Sequence, residues 1–126
     1  MSPTNADPSF RAWVQSRVEE QPYWFHRLRI YDDLVTPGWS DPVVEKLPFY
    51  GLPARMDGMR VLDVGCAEGF FSFEAERRGA AEVVSIDSYP DSIERFQIVR
   101  AALGSKARGY LCNVYDLSPR TFGTVE

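Results

Sequence analysis

Hydrophobic and polar positions follow two regimes along this chain, with the change near residue 60. Before it, Asp7-Pro8 reads as a helix cap followed by proline at the first helical position, and Phe10, Trp13, Val14 and Val18 recur at helical spacing. This predicts a helix over Pro8–Glu20, ended by Gln21-Pro22. The aromatic run Tyr23-Trp24-Phe25-His26 continues through Tyr31 to a turn at Thr36-Pro37-Gly38-Trp39, and Asp41-Pro42 repeats the cap signature for a short helix to about Leu47. A loop with two prolines and two glycines, Pro48 to Gly58, then delivers the chain into a different pattern.

From there apolar runs alternate with amphipathic stretches. Val61–Val64 reads as a strand, Phe70–Arg78 as a helix closed by Gly79, and Glu82–Asp87 as a second strand. Ile93, Phe96, Val99 and Leu103 form one face of a helix stopped by Gly104, and Arg108–Asn113 is a third strand. Tyr115–Arg120 reads as a loop or the start of a helix. The fold class is α/β, and right-handed crossovers place the three parallel strands in the order 3-2-1 with the first on an edge. Val61, Leu62 and Val64 are the residues of a strand covered on both faces, so that edge calls for further strands, from a longer domain or from another chain.

Composition narrows this only slightly. With 126 residues, 44% hydrophobic and 25% charged, the chain suits one globular domain, and its net charge of -4 supplies no general attraction to polyanions, though Arg27 and Arg29 leave room for a local basic patch. Cys66 and Cys112 are far apart and lack CxxC or His-Cys spacing, which argues against a disulfide framework or a zinc site. The polar N-terminus has no signal-peptide pattern and no run approaches membrane-spanning length, so a cytoplasmic location without membrane insertion is expected.

Chemistry concentrates at the first strand-to-helix turn. Gly65 permits a sharp turn, and Gly69 removes a side chain that would keep a ligand from the helix N-terminus. Two glycines in such a turn also occur for geometric reasons alone. A dinucleotide site wants G-x-G-x-x-G, whereas here the glycines stand four apart in Asp63-Val-Gly65-Cys-Ala-Glu-Gly69, which disfavours NAD or FAD. Asp87, eighteen residues after Gly69, ends the second strand where a carboxylate accepts from ribose hydroxyls; the alternative is a cap for the helix at Pro90. Asp63 inside a strand needs a cationic ligand group or nearby loop amides. Asn113, at the end of the third strand, suits either an adenine edge or a turn. His26, the single histidine, fits a packed structural role better than that of a general base.

The run Val61-Leu-Asp-Val-Gly-Cys-Ala-Glu-Gly-Phe-Phe-Ser-Phe-Glu-Ala-Glu-Arg-Arg-Gly-Ala80, with Val83-Val-Ser-Ile-Asp87, resembles the class I S-adenosylmethionine-dependent methyltransferases. The upstream Tyr23-Trp-Phe-His26, Thr36-Pro-Gly-Trp39 and Leu47-Pro48 are similar to the lead-in of transferases that modify the tRNA wobble uridine with carboxy-S-adenosylmethionine. The resemblance implies a Rossmann-like domain whose first half occupies residues 59–126, preceded by a helical and aromatic lid over residues 1–58, with the family's fourth strand due to begin near Phe122 where the chain stops. It implies that Asp63, Gly65, Cys66, Ala67 and Gly69 hold the methionine portion of S-adenosylmethionine or its carboxylated form, that Asp87 and Ser88 hold the ribose, and that Asn113 and Val114 contact adenine. Ala67 departs from the glycine frequent at that position, and Asn113 from the usual acid. The acceptor implied is a tRNA base or a small molecule, no catalytic residue or metal is assigned, and this stretch alone is expected to be inactive. A non-catalytic module that pairs, or self-associates, through its open sheet edge is the alternative.

Overall fold

The computed structural model describes residues 7–125. The first helix, α1 (Pro8–Glu20), has the expected bounds, and the Asp7 carboxylate caps it by accepting from the amides of Ser9 and Phe10. Val14 and Val18 are buried on its inner face, while Trp13, placed on that face by spacing, is 46% exposed. Two short antiparallel strands follow, β1 (Arg29–Tyr31) and β2 (Leu34–Val35), joined by a tight turn at Asp32-Asp33. The sequence pattern misses this hairpin, so the lead-in is not wholly helical. Next come α2 (Pro42–Glu45), capped by Asp41, and a 3-10 turn over Leu47–Phe49.

The parallel sheet consists of β3 (Arg60–Val64), β4 (Glu82–Asp87) and β5 (Arg108–Leu111), crossed by α3 (Phe70–Arg77) and α4 (Pro90–Leu103). β4 lies between the other two and has five successive buried residues, Val83 to Asp87. β3 lies on the edge as predicted, its inner residues half-buried and Val64 49% exposed. A groove of about 410 Å³ runs beside it, walled by Val61, Leu62 and Val84 and by the final segment, in which α5 (Pro119–Phe122) sits. Arg60 ties that segment down by donating to the carbonyls of Phe122 and Thr124.

Two apolar clusters make the core. One joins α1, Trp24, Leu28 and the hairpin to Ile98, Val99 and Ala102 of α4; the other joins Met56, Cys66, Ala75, Val83, Phe96 and Ala107 across the sheet and its helices. The inner face of α4 also carries Ser92 and Arg95, both buried, which the apolar periodicity does not reveal. Among the described residues no helix is long and apolar enough to cross a membrane.

Candidate functional site

The carboxyl ends of β3, β4 and β5 bring the predicted residues to one edge of the sheet, the edge at which open parallel sheets place their ligands. The loop from Gly65 to Gly69 is held against β4, because the amides of Gly65 and Cys66 both donate to the Ile86 carbonyl at 2.9 Å. The Ala67 amide donates to one oxygen of Asp87 at 2.9 Å, and the other oxygen accepts from the Tyr89 amide at 2.9 Å. Asp87 thus ends its strand, steadies the turn that leads to α4 and fixes the loop with one carboxylate, while the N-cap position of α4 falls on Tyr89. The helix-cap role expected as the alternative is not realised, since no side chain caps α4, and each Asp87 oxygen keeps a second acceptor position.

The glycines divide their work differently from the sequence expectation. A β-carbon on Gly69 would lie 2.5 Å from the Phe96 ring and 2.7 Å from Phe73, so this glycine serves core packing beneath the loop rather than ligand access. At Gly65, with φ +72°, a β-carbon would meet nothing within 4 Å. The open space in the turn therefore lies at Gly65. Ala67 takes a left-handed φ of +49°, a conformation that costs an L-residue about 1 kcal/mol or more and that the Asp87 bond holds in place.

Asp63 finds its partner in a helix side chain rather than in loop amides. Ser72, on the first turn of α3, donates to it at 2.7 Å and touches the Ser85 hydroxyl at 2.6 Å. Burial still pushes the Asp63 carboxyl above the usual range, opposed by the Ser72 bond and reinforced by the negative charge of Asp87. A raised carboxyl binds its proton more tightly in the folded than in the unfolded state, so it opposes folding at neutral pH, and the opposition fades as pH falls towards about 3.9. Asp63→Asn is accordingly expected to melt no lower than the parent near neutral pH, with the two melting curves converging at about pH 4. A variant that melts well below the parent near neutral pH would contradict this assignment.

Cys66 is buried; burial pushes its thiol far up, with Asp63 and Asp87 adding to the effect, so it contributes shape rather than a nucleophile. Ser88 is exposed beside Asp87. At the end of β5 the Asn113 side-chain oxygen accepts from the Tyr115 amide at 2.9 Å and caps a 3-10 turn over Val114–Asp116. The turn role is realised, and the side-chain amide group of Asn113 stays exposed next to Val114, itself 48% exposed.

Glu68 escaped the sequence reading. It is fully buried, and its carboxylate accepts from the amides of Phe25 at 2.6 Å and His26 at 3.3 Å. The His26 ring lies in the same interior, with Nδ1 3.3 Å from Glu68 and Nε2 2.7 Å from the Lys46 ammonium. An ammonium has no acceptor, so Nε2 accepts and the ring proton sits on Nδ1, facing Glu68. Arg95 places a cation beside Glu68, Nε to Oε2 at 3.7 Å, an ion-pair distance without a hydrogen bond. Burial raises the Glu68 carboxyl, but the His26 and Phe25 bonds outweigh it and hold the group below the ordinary range. An acid flanked by a glycine and an alanine in this turn was the one visible hint.

The fold defines an α/β unit with a parallel sheet, and comparisons with known proteins sharpen that class. Residues 55–118 match the family described as Methyltransferase domain. The ubiquinone biosynthesis O-methyltransferase of Xylella fastidiosa is 42% identical over 69 residues, 47% of this chain and 28% of that protein. The tRNA U34 carboxymethyltransferase of Cellvibrio japonicus is 26% identical over 109 residues, 82% of this chain and 32% of that protein. Among solved structures, the N-terminal domain of EvdMO1 with SAH bound has a TM-score of 0.75 at 18% identity, covering 100% of this chain and 54% of that one, a likeness of fold. The chain belongs to the methyltransferase domain family. It spans about a third of the length of these two curated relatives, 28% and 32%.

Proposed function

We propose that the cleft at the carboxyl ends of β3–β5 holds S-adenosylmethionine, and that the protein transfers its methyl group to a nucleophilic acceptor. One observation carries the reading: on adjacent strands, the unobstructed Gly65 turn and the Asp87 carboxylate are locked together through the Ala67 amide. The donor set suits the ligand. The negative charge of Asp87 adds to the burial that disfavours a charged Asp63, and a cationic ligand group nearby would offset both.

In this reading the loop Asp63 to Gly69, with Cys66 and Ala67, holds the amino-acid end, Asp87 and Ser88 hold the ribose, and Asn113 and Val114 face the adenine. When bound, the cofactor supplies an electrophilic methyl on a sulfonium. The chain's own residues bind and orient, which is the main requirement where alignment with the acceptor dominates the rate. The relatives favour as acceptor either a hydroxyl of a small molecule or a tRNA base, and in the second case the carboxylated cofactor. Calorimetric titration with S-adenosylhomocysteine tests the reading: saturable one-site binding is expected, and no heat at millimolar ligand would overturn it. The open β3 edge supports a second reading, a module that pairs through that edge with further strands or a second copy; sedimentation that stays monomeric at high concentration would argue against self-association.

A further inference from the structure

We infer that Glu68 is a positioning residue for the cofactor loop, coupling the loop's conformation to that of residues 23–46 through the buried relay Lys46–His26–Glu68–Arg95. The inference rests on the cofactor reading of the cleft and deepens it. Glu68 stands between Ala67 and Gly69, at φ +49° and +98°, so the backbone reverses on both sides of it. Its side chain leaves the cleft and enters the interior, where it meets a segment 42 and 43 residues earlier in the chain. No other side chain of residues 65–69 reaches that segment with a hydrogen bond among the described residues.

The far side of the relay is also built. The Thr36 hydroxyl accepts from the Leu28 amide at 2.8 Å and donates to the His26 carbonyl at 2.7 Å, while Arg27 and Ser40 pair through backbone bonds at 2.7 and 3.1 Å that include Phe25. Lys46, at the C-cap of α2, reaches His26 and lies 4.0 Å from the centre of the Phe25 ring. A shift of residues 36–46 therefore moves the Phe25 and His26 amides, and through Glu68 the loop. A buried carboxylate is costly unless its partners stay in place, so the loop and the segment hold their native positions together or leave them together. By linkage, a ligand that orders the loop must order the segment, and the reverse.

Amide hydrogen exchange by mass spectrometry, with and without S-adenosylhomocysteine, tests this on the parent, Glu68→Gln and Lys46→Met. In the parent, ligand is expected to slow exchange in residues 65–69 and also in 23–46, which include no proposed cofactor contact. In Glu68→Gln the slowing at 65–69 should remain while that at 23–46 disappears, with affinity about tenfold weaker; Lys46→Met, which leaves the loop chemically intact, should lose the slowing at 23–28 with about threefold weaker binding. Parent-like transmission in either well-folded variant would overturn the coupling. If the parent binds no ligand, the cofactor reading fails by itself, and the coupling is read without ligand: Glu68→Gln must hasten exchange in 23–28 and 65–69 together, and a response confined to one segment overturns it.

Discussion

Gly38→Ala is expected to destabilise the protein by about 3 kcal/mol, the upper part of the range for forcing extra volume into a packed site. The glycine is not required by its backbone dihedrals but by a crossing of two chain segments. A β-carbon there would fall well inside contact distance of the His26 carbonyl carbon and oxygen, and 2.7 Å from the Arg27 nitrogen. These are main-chain atoms, so no rotamer change relieves the overlap. The crossing cannot widen cheaply either, because Arg27 donates to Ser40, Ser40 to Phe25, and Thr36 bridges Leu28 and His26 on either side. Urea unfolding of parent and variant measures the effect, which for a domain of ordinary stability is a large fraction of the total. A change below about 0.5 kcal/mol would mean that residues 25–27 yield freely, and that the bonds around them contribute little.

The second large effect is expected at Asp87. Asp87→Ala removes the acceptor of two part-buried bonds, from the Ala67 amide and from the amide of the exposed Tyr89, a loss of about 1–3 kcal/mol in all. It also frees Ala67 from the bond that holds its left-handed conformation, so the loop relaxes away from the geometry proposed for ligand binding. Affinity for S-adenosylhomocysteine should fall by about 100-fold or more, since loss of the ribose acceptor and loss of loop order act in the same direction. Asp87→Asn separates the contributions: one oxygen survives to accept the Ala67 amide, so stability should recover more than affinity. Calorimetry and thermal melting on the three proteins check this, and an Asp87→Ala protein that binds as tightly as its parent would remove the residue from the site.

Much of the architecture was legible because it rests on local signals. Asp7-Pro8 and Asp41-Pro42 are caps whose side chains bond amides two or three residues ahead, and the strands of the parallel sheet are apolar runs bounded by turns. The order of those strands followed from the handedness of their connections. The hairpin Arg29–Val35 was not legible, because strands of two or three residues are too short to display a period. The site divides along the same line. Gly65 and Asp87 announce themselves by position, whereas the partners of Asp63 and Glu68 do not. Ser72 lies on the helix that follows, and Phe25, His26 and Arg95 come from opposite sides of the loop in sequence. A buried carboxylate advertises that it needs partners, not where the fold will find them.

The packing of α1 on α4 has a bearing on how the chain acquires its structure. Each parallel strand pairs with its immediate neighbour in sequence, so each βαβ step of the sheet closes a comparatively short stretch of chain. The first helix shares that convenience only in part. Val14 and Val18 share one cluster with Trp24, Leu28 and the hairpin, close by in sequence, and with Ile98, Val99 and Ala102, some eighty residues later, so during synthesis the inner face of α1 meets its near partners long before α4 emerges. The seam between α1 and α4 is therefore expected to close after α1 has settled on Trp24 and the hairpin, a small apolar knot waiting for the helix that completes it.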